Sequence, residues 1–200
     1  MIRVPMAGAA VSIMVGWMTH IIPLLWLGFV LVLVSAVVLL FFRDPERTPP
    51  VDPGAVVAPA DGKVIVSEIL PDGCGHVAIF LSVLDVHINR APFTSRVTRV
   101  LNRPGTYFHA GSSRAAEANA RVEIEAESAH GPIAWRQLSG SIARKISCRV
   151  QPGDVLQTGQ RFGLIYFGSR MDVFLPPTAT LTSTAGMRVI AGESVIAKFS

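Results

Sequence analysis

The chain opens on a nearly unbroken apolar run and then changes texture. Between Val4 and Phe42 there is no Asp, Glu, Lys or Arg, and His20 is the only ionisable side chain. Thr19-His20 divides the run into segments 4–18 and 21–42, with Pro23 just past the break. A bilayer-spanning helix needs roughly 20 residues, so the second segment predicts one; the first is short unless Arg3 snorkels to the headgroups. Arg3 before the pair, with Arg43 and Arg47 after it, predicts a hairpin with both ends cytoplasmic. A hairpin dipping into one leaflet has the same pattern. A secretory signal peptide fits less well, because the stretch is too long and no small-x-small site follows Phe42.

Residues 43–54 predict a charged linker at the membrane–water boundary. Pro45, Pro49 and Pro50 exclude a regular helix or central strand there. From 55 to 200 the apolar runs are short and β-branched, separated by Gly, Pro, Asp and Asn. They predict strands at 56–57, 63–69, 76–84, 96–101, 121–127, 133–138, 142–150, 162–167, 171–175, 179–183, 187–190 and 194–199. In 121–127, Val122, Ile124 and Ala126 alternate with three glutamates, the period of a half-buried strand. The 76–84 run is nearly all apolar and predicts a strand buried on both faces. Residues 112–120 predict one short helix capped by Ser112 or Ser113. Turn signals recur at short intervals, and a turn-strand-turn rhythm at 152–163 is echoed near 61–64. The fold class predicted is mainly β: a β-sandwich or barrel-sandwich of lipoyl-like type, behind an N-terminal hydrophobic helical membrane segment at 1–42.

The formal net charge of +4 suits an anionic partner. No basic run interleaved with aromatics occurs, nor any helix-turn-helix or zinc-finger spacing, so nucleic acid is not expected. A membrane rich in acidic lipids is, because the hydrophobic end already points there. Cys74 and Cys148 form no CxxC and leave the redox compartment open.

Four stretches could carry chemistry. The first is Phe167-Gly168-Ser169-Arg170, where an apolar strand runs into a Gly-Ser pair. Gly-Ser alone is usually a turn. A strained turn would let the Ser169 oxygen attack the Gly168 carbonyl and convert amide to ester, and elimination would leave a pyruvoyl group on a new N-terminus. A hydrolase elbow would read G-x-S-x-G, which is absent. The second is 58–64, in which Asp61 sits before Gly62: a common turn, or a carboxylate that orients a base. The third is Asp85-Val86-His87-Ile88-Asn89-Arg90-Ala91-Pro92, where the 76–84 strand emerges. If the strand continued, Asp85 and His87 would share a face. His87 suits proton transfer near neutral pH, and Arg90 could grip a carboxylate or phosphate in a forked geometry; the bland alternative is a polar surface loop. The fourth, Tyr107-Phe108-His109 with Arg114, Glu117 and Asn119 beyond, predicts partial core. The histidines show no tight metal-ligand spacing, so no metal is expected.

Arg43-Asp44-Pro45, Ala58-Pro59-Ala60-Asp61-Gly62, the 85–92 stretch and Phe167-Gly168-Ser169-Arg170 together resemble the short form of the phosphatidylserine decarboxylase proenzymes, in order and spacing, over nearly all the chain from Arg43. The resemblance implies self-cleavage between 168 and 169 into a large β chain (1–168) and a small α chain (169–200) that stay together. It implies a covalent pyruvoyl cofactor made from Ser169, with Gly168, His87 and Asp61 at the site. It also implies a phospholipid substrate, with Arg90 or Arg170 as holder of the lipid phosphate, and a catalytic domain at 55–200 on the cytoplasmic side of the cell membrane. Longer members carry a further His where this chain has Arg90. Either His87 is the base for self-cleavage here, or the strained Gly-Ser geometry needs less help. A membrane-anchored zinc peptidase of lipoyl-like type would need an H-x-H pair, which is absent. A non-enzymatic lipoyl-like interaction module is the remaining alternative.

Overall fold

The computed structural model describes residues 3–19, 22–141, 145–166 and 168–199. The chain forms two compact units, Met1–Arg43 and Asp44–Ser200.

The first unit is a pair of helices, α1 (Arg3–Thr19) and α2 (Ile22–Phe41). His20 and Ile21, at the predicted break, lie outside the described residues. The helices run antiparallel: Gly8 lies against Leu31, Ile13 against Gly28, and Gly16 against Leu25. A Cβ on Gly28 would collide with the Ile13 side chain. Glycine therefore sets how closely the two backbones approach, as small residues do in membrane helix pairs. α2 is long and apolar enough to cross a membrane, with a mean hydropathy of 2.9. Trp17, Met18, Trp26 and Phe29 are exposed, as lipid-facing side chains would be.

Among the described residues the second unit holds fourteen strands and one short helix. They are β1 (Ala55–Val57), β2 (Gly62–Ile69), β3 (Gly75–Leu81), β4 (Ile88–Arg90), β5 (Ser95–Arg103), α3 (Ser113–Ala118), β6 (Arg121–Ser128), β7 (Gly131–Leu138), β8 (Ile146–Cys148), β9 (Val155–Leu156), β10 (Arg161–Ile165), β11 (Ser169–Leu175), β12 (Ala179–Leu181), β13 (Arg188–Val189) and β14 (Val195–Phe199). Eight form one antiparallel sheet in the order β13-β2-β3-β11-β7-β6-β5-β9. Bulges between Val64 and Val66 and between Val97 and Arg99 add twist and curl it. Two smaller sheets, β1-β14-β12 and β4-β10-β8, complete the unit. All three feed one core: Val56, Phe162, Ile165 and Ile196 from the small sheets join Ile79, Trp135 and Met171 from the large one. Trp135 is fully buried and meets Phe162 edge-on, ring centroids 5.8 Å apart.

The alternation expected for β6 is present: Val122, Ile124 and Ala126 are buried, while Glu125 and Glu127 are exposed. Three local expectations shift. The strand predicted at 76–84 stops at Leu81, because the Asp85 carboxylate accepts from the backbone N–H and the hydroxyl of Ser82 (2.8 and 2.7 Å) and closes a turn. Asp85 and His87 are therefore not successive same-face positions of one strand. In β3 itself His76 and Phe80 remain partly exposed, so its second face is not sealed. The 112–120 helix shortens to α3. Strand β4 was not foreseen, since three residues carry too little period to read, whereas β9 falls within the turn-strand-turn rhythm at 152–163. The first part of the strand predicted at 142–150 falls on residues 142–144, outside the described set.

β11 occupies the centre of the large sheet, between β3 and β7. Met171, Val173 and Leu175 face the core. Arg170, Asp172 and Phe174 alternate to the other face. There Arg170 Nε donates to Asp172 Oδ1 at 2.6 Å, with both side chains almost wholly buried. His76 stacks on Phe174, centroids 4.7 Å apart, and the Arg136 guanidinium sits 4.5 Å over the same ring. Asp172→Ala would strand the Arg170 charge, and breaking such a buried pair costs about 3–5 kcal/mol. Thermal unfolding in detergent should show a fall of many degrees; an unchanged midpoint would mean water reaches Arg170.

Candidate active site

The site begins where β11 does. Gly168 has φ +62°, a left-handed conformation that glycine adopts without penalty, and Ser169 follows as the first residue of the strand. Phe167 of the motif lies outside the described residues. Ser169 is fully buried, and its Oγ has no hydrogen-bond partner among them. Alternation puts this hydroxyl on the core face, with Met171. Ser169 pairs with Leu81 at the end of β3. A buried hydroxyl with no partner costs about 1–3 kcal/mol, so its retention calls for a chemical reason.

The Gly168 carbonyl oxygen is packed directly on Gly140. A Cβ at 140 would occupy the oxygen's place. Gly140 is fixed in turn by the end of β7. Ser139 donates to the Ala120 carbonyl through both its N–H and its hydroxyl (3.0 and 2.9 Å). The fully buried Asn119 amide donates to the Ser139 and Phe108 carbonyls and accepts the Phe108 N–H, at 2.7–2.8 Å. The fourth stretch of the sequence thus supplies a brace: Asn119 ties the 107–109 loop to the β7 end that touches the scissile carbonyl.

His87 is fully buried just before β4. Its Nδ1 lies 2.8 Å from the Asp85 carbonyl oxygen, which can only accept. Nδ1 therefore carries the proton, and in the neutral ring Nε2 is the basic nitrogen. The Pro59 carbonyl accepts the Arg90 N–H at 2.9 Å, so the segment bearing Asp61 runs beside β4. Asp61 itself accepts from Arg47 (2.9 Å) and from the Ala191 N–H (2.7 Å).

The two arginines expected at a lipid phosphate are placed otherwise. Arg90 is buried, donating to the Gly159 carbonyl (3.0 Å), the Pro45 carbonyl (2.9 Å) and Asp44 (3.3 Å). Burial, and then the charge of Arg161, lower its pKa, against the pull of Asp44. It fastens the segment after Arg43 to the β domain, helped by Arg161 on Asp44 and Glu46. Arg170 is held by Asp172 on the face opposite Ser169. Physically, neither guanidinium is an open anchor: each is buried and hydrogen-bonded to protein.

Sequence reading missed Gly140, Ser139, Asn89 and Gln137. Asn89 is two residues from His87 on β4, and its Oδ1 accepts from Gln137 Nε2 of β7 at 2.8 Å. Both are fully buried, and nothing in their local sequence marks them apart from polar letters inside apolar strands. Among the described residues no three His, Cys, Asp or Glu side chains gather where they could hold a metal.

Comparison with known proteins agrees with this geometry. Residues 34–197 match the family model for phosphatidylserine decarboxylase. A phosphatidylserine decarboxylase proenzyme from Desulfotalea psychrophila is 42% identical over 177 residues, covering 85% of this chain and 83% of that protein. Another, from Chlorobaculum parvum, is 42% identical over 163 residues, covering 79% and 76%. With a buried serine that has no hydrogen-bond partner among the described residues, behind a left-handed glycine, and this likeness along its length, the chain belongs to the phosphatidylserine decarboxylase family.

Proposed function

We propose that this protein decarboxylates phosphatidylserine to phosphatidylethanolamine at the cytoplasmic face of the cell membrane, after cutting itself between Gly168 and Ser169. The observation that carries the reading is the buried Ser169 Oγ, without a partner among the described residues, next to a carbonyl pinned on Gly140.

In the cut, Ser169 Oγ attacks the Gly168 carbonyl carbon. His87 Nε2 takes the hydroxyl proton and returns it to the leaving amine as the C–N bond breaks, giving an ester. Removal of the Ser169 Cα proton then breaks the Cβ–Oγ bond and frees residues 1–168 as a carboxylate. Water uptake and loss of ammonia leave a ketone at the head of residues 169–200. The residues present fit this pyruvoyl group, since the hydroxyl whose attack and departure create it is buried and has no hydrogen-bond partner among the described residues. Once formed, it supplies an electrophilic carbonyl and an electron sink.

The remaining roles belong to the chain. His87 donates a proton to the carbon that loses CO2, and Asp61 places a negative charge beside β4 to orient it. Arg90 and Arg170 hold the frame rather than the phosphate. The severed chains stay together because β11 lies between β3 and β7 of the large chain, β13 pairs with β2, and β14 with β1. The apolar helices keep the enzyme in the bilayer that contains its two-chain substrate, and the arginines flanking them favour the cytoplasmic side.

Purified protein in detergent should release CO2 from carboxyl-labelled phosphatidylserine. The 21.4 kDa chain should run as fragments of roughly 18 and 3 kDa, the smaller with a blocked N-terminus. Cut protein that releases no CO2, or an uncut chain that does, would sink the reading.

A further inference from the structure

We infer that Asn89 and Gln137 form the headgroup site, one amide donor taking the carboxylate of the serine headgroup and one amide oxygen taking its ammonium. The inference rests on the proposed decarboxylase reading and names how that site selects its substrate.

Among the buried side-chain atoms that lack a hydrogen-bond partner among the described residues are Ser169 Oγ, Asn89 Nδ2 and Gln137 Oε1. The first is the nucleophile of the cut. The other two belong to one hydrogen-bonded amide pair joining the β4-β10-β8 sheet to the large sheet. Each amide uses one polar atom on the other and leaves one over. Turning both amides round exchanges the two roles but still leaves one NH2 donor and one oxygen acceptor.

The pair is built in. Gly163 of β10, opposite Asn89, has no side chain where the Gln137 amide lies; a Cβ there would meet Nε2 at 2.7 Å. Gln137 pairs with Met171, two residues from Ser169 on the core face of β11. Asn89 is two residues from His87 on β4. Same-face neighbours lie about 7 Å apart along a strand. The pair thus stands one step from the reacting serine and one step from the proposed acid, within the span of an amino-acid headgroup.

The chemistry suits this reaction. A guanidinium would hold the carboxylate tightly in the ground state and oppose its loss as CO2. Arg90 and Arg170 are already tied to Asp44, Pro45, Gly159 and Asp172. A neutral amide orients the carboxylate without so deep a well. Phosphatidylethanolamine keeps the amine and lacks the carboxylate, so it would leave the donor unpaired, which favours product release.

The test uses the full-length wild type and its Asn89→Leu and Gln137→Glu variants in detergent. Processing is read by intact mass, CO2 release on phosphatidylserine by initial rates, and phosphatidylethanolamine is added as competitor. Failure of wild type to release CO2 would fell the decarboxylase reading itself. With an active wild type, matured Asn89→Leu should lose about 10²-fold in kcat/KM, the scale of one hydrogen bond to a charged group. Its inhibition by phosphatidylethanolamine should stay within about twofold of wild type, because that lipid has no carboxylate to lose; a general loosening would weaken both. Should Asn89→Leu not mature, Gln137→Glu is read for the same fall in kcat/KM, its carboxylate opposing that of the substrate, while phosphatidylethanolamine inhibition should not weaken, because a carboxylate also accepts from the ammonium. Unchanged kcat/KM, a parallel loss of phosphatidylethanolamine inhibition, or two folded variants that both fail to cut would each overturn the assignment, the last by moving the pair's role to self-cleavage.

Discussion

Ser169→Ala yields a single uncut 21.4 kDa chain, without detectable CO2 release, that is no less stable than the wild-type precursor before it is cut. Both halves of this expectation come from one oxygen. Removing Oγ removes the atom that attacks the Gly168 carbonyl and whose departure with residues 1–168 opens the way to the ketone, so the loss is total rather than graded. In the uncut chain the same oxygen is buried with no partner among the described residues, and deleting an unsatisfied hydroxyl relieves about 1–3 kcal/mol. A catalytic group that destabilises its own fold is a sign of function kept at the expense of stability. Intact mass and a thermal melt in detergent check both halves. Persisting fragments of roughly 18 and 3 kDa would place the cut elsewhere. A clear fall in the midpoint would mean that the hydroxyl does have a partner in solution.

The parts of this structure legible in the sequence are those written in local period. The apolar hairpin, the alternation of β6 and the Gly-Ser step into β11 all declare themselves within ten residues. Gly168 is legible because a left-handed backbone has one favoured residue. What sequence hides is which residues face each other. Arg170 looks like a site residue beside Ser169, but a strand turns neighbours to opposite faces, and Asp172, two places on, claims it. Arg90 looks like a phosphate ligand until Asp44 and Pro45, more than forty residues earlier, fold back onto it. Residues 44–48 read only as part of a charged linker for the same reason. Their charges find Arg90, Arg161, Asp61 and Glu193 only in three dimensions. Asn89 and Gln137 are 48 positions apart and become a pair only when two sheets close.

Gly140→Ala should stop self-cleavage although residue 140 is neither nucleophile nor base. Its new Cβ would need the space now held by the Gly168 carbonyl oxygen, so one of the two must move. Residue 140 follows Ser139, which is locked to Ala120 and Asn119. Gly168 has open space around it, with nothing within 4 Å of where a Cβ would stand. The carbonyl therefore yields, turning away from the line of attack by Ser169 Oγ. Displacements of about 1 Å from attack geometry cost about 10²-fold in rate. The variant should remain a 21.4 kDa chain long after wild type has finished cutting. Gly168→Ala is the contrast. There the side chain meets no atom, and the cost is only that of a left-handed alanine, about 1–2 kcal/mol, or roughly tenfold in rate. The order of the two predictions follows from the packing alone: the glycine farther from the cut in sequence is the one the cut cannot do without. Time courses of fragment formation decide it, and a Gly140→Ala protein that processes faster than Gly168→Ala would show that the carbonyl is not positioned from residue 140.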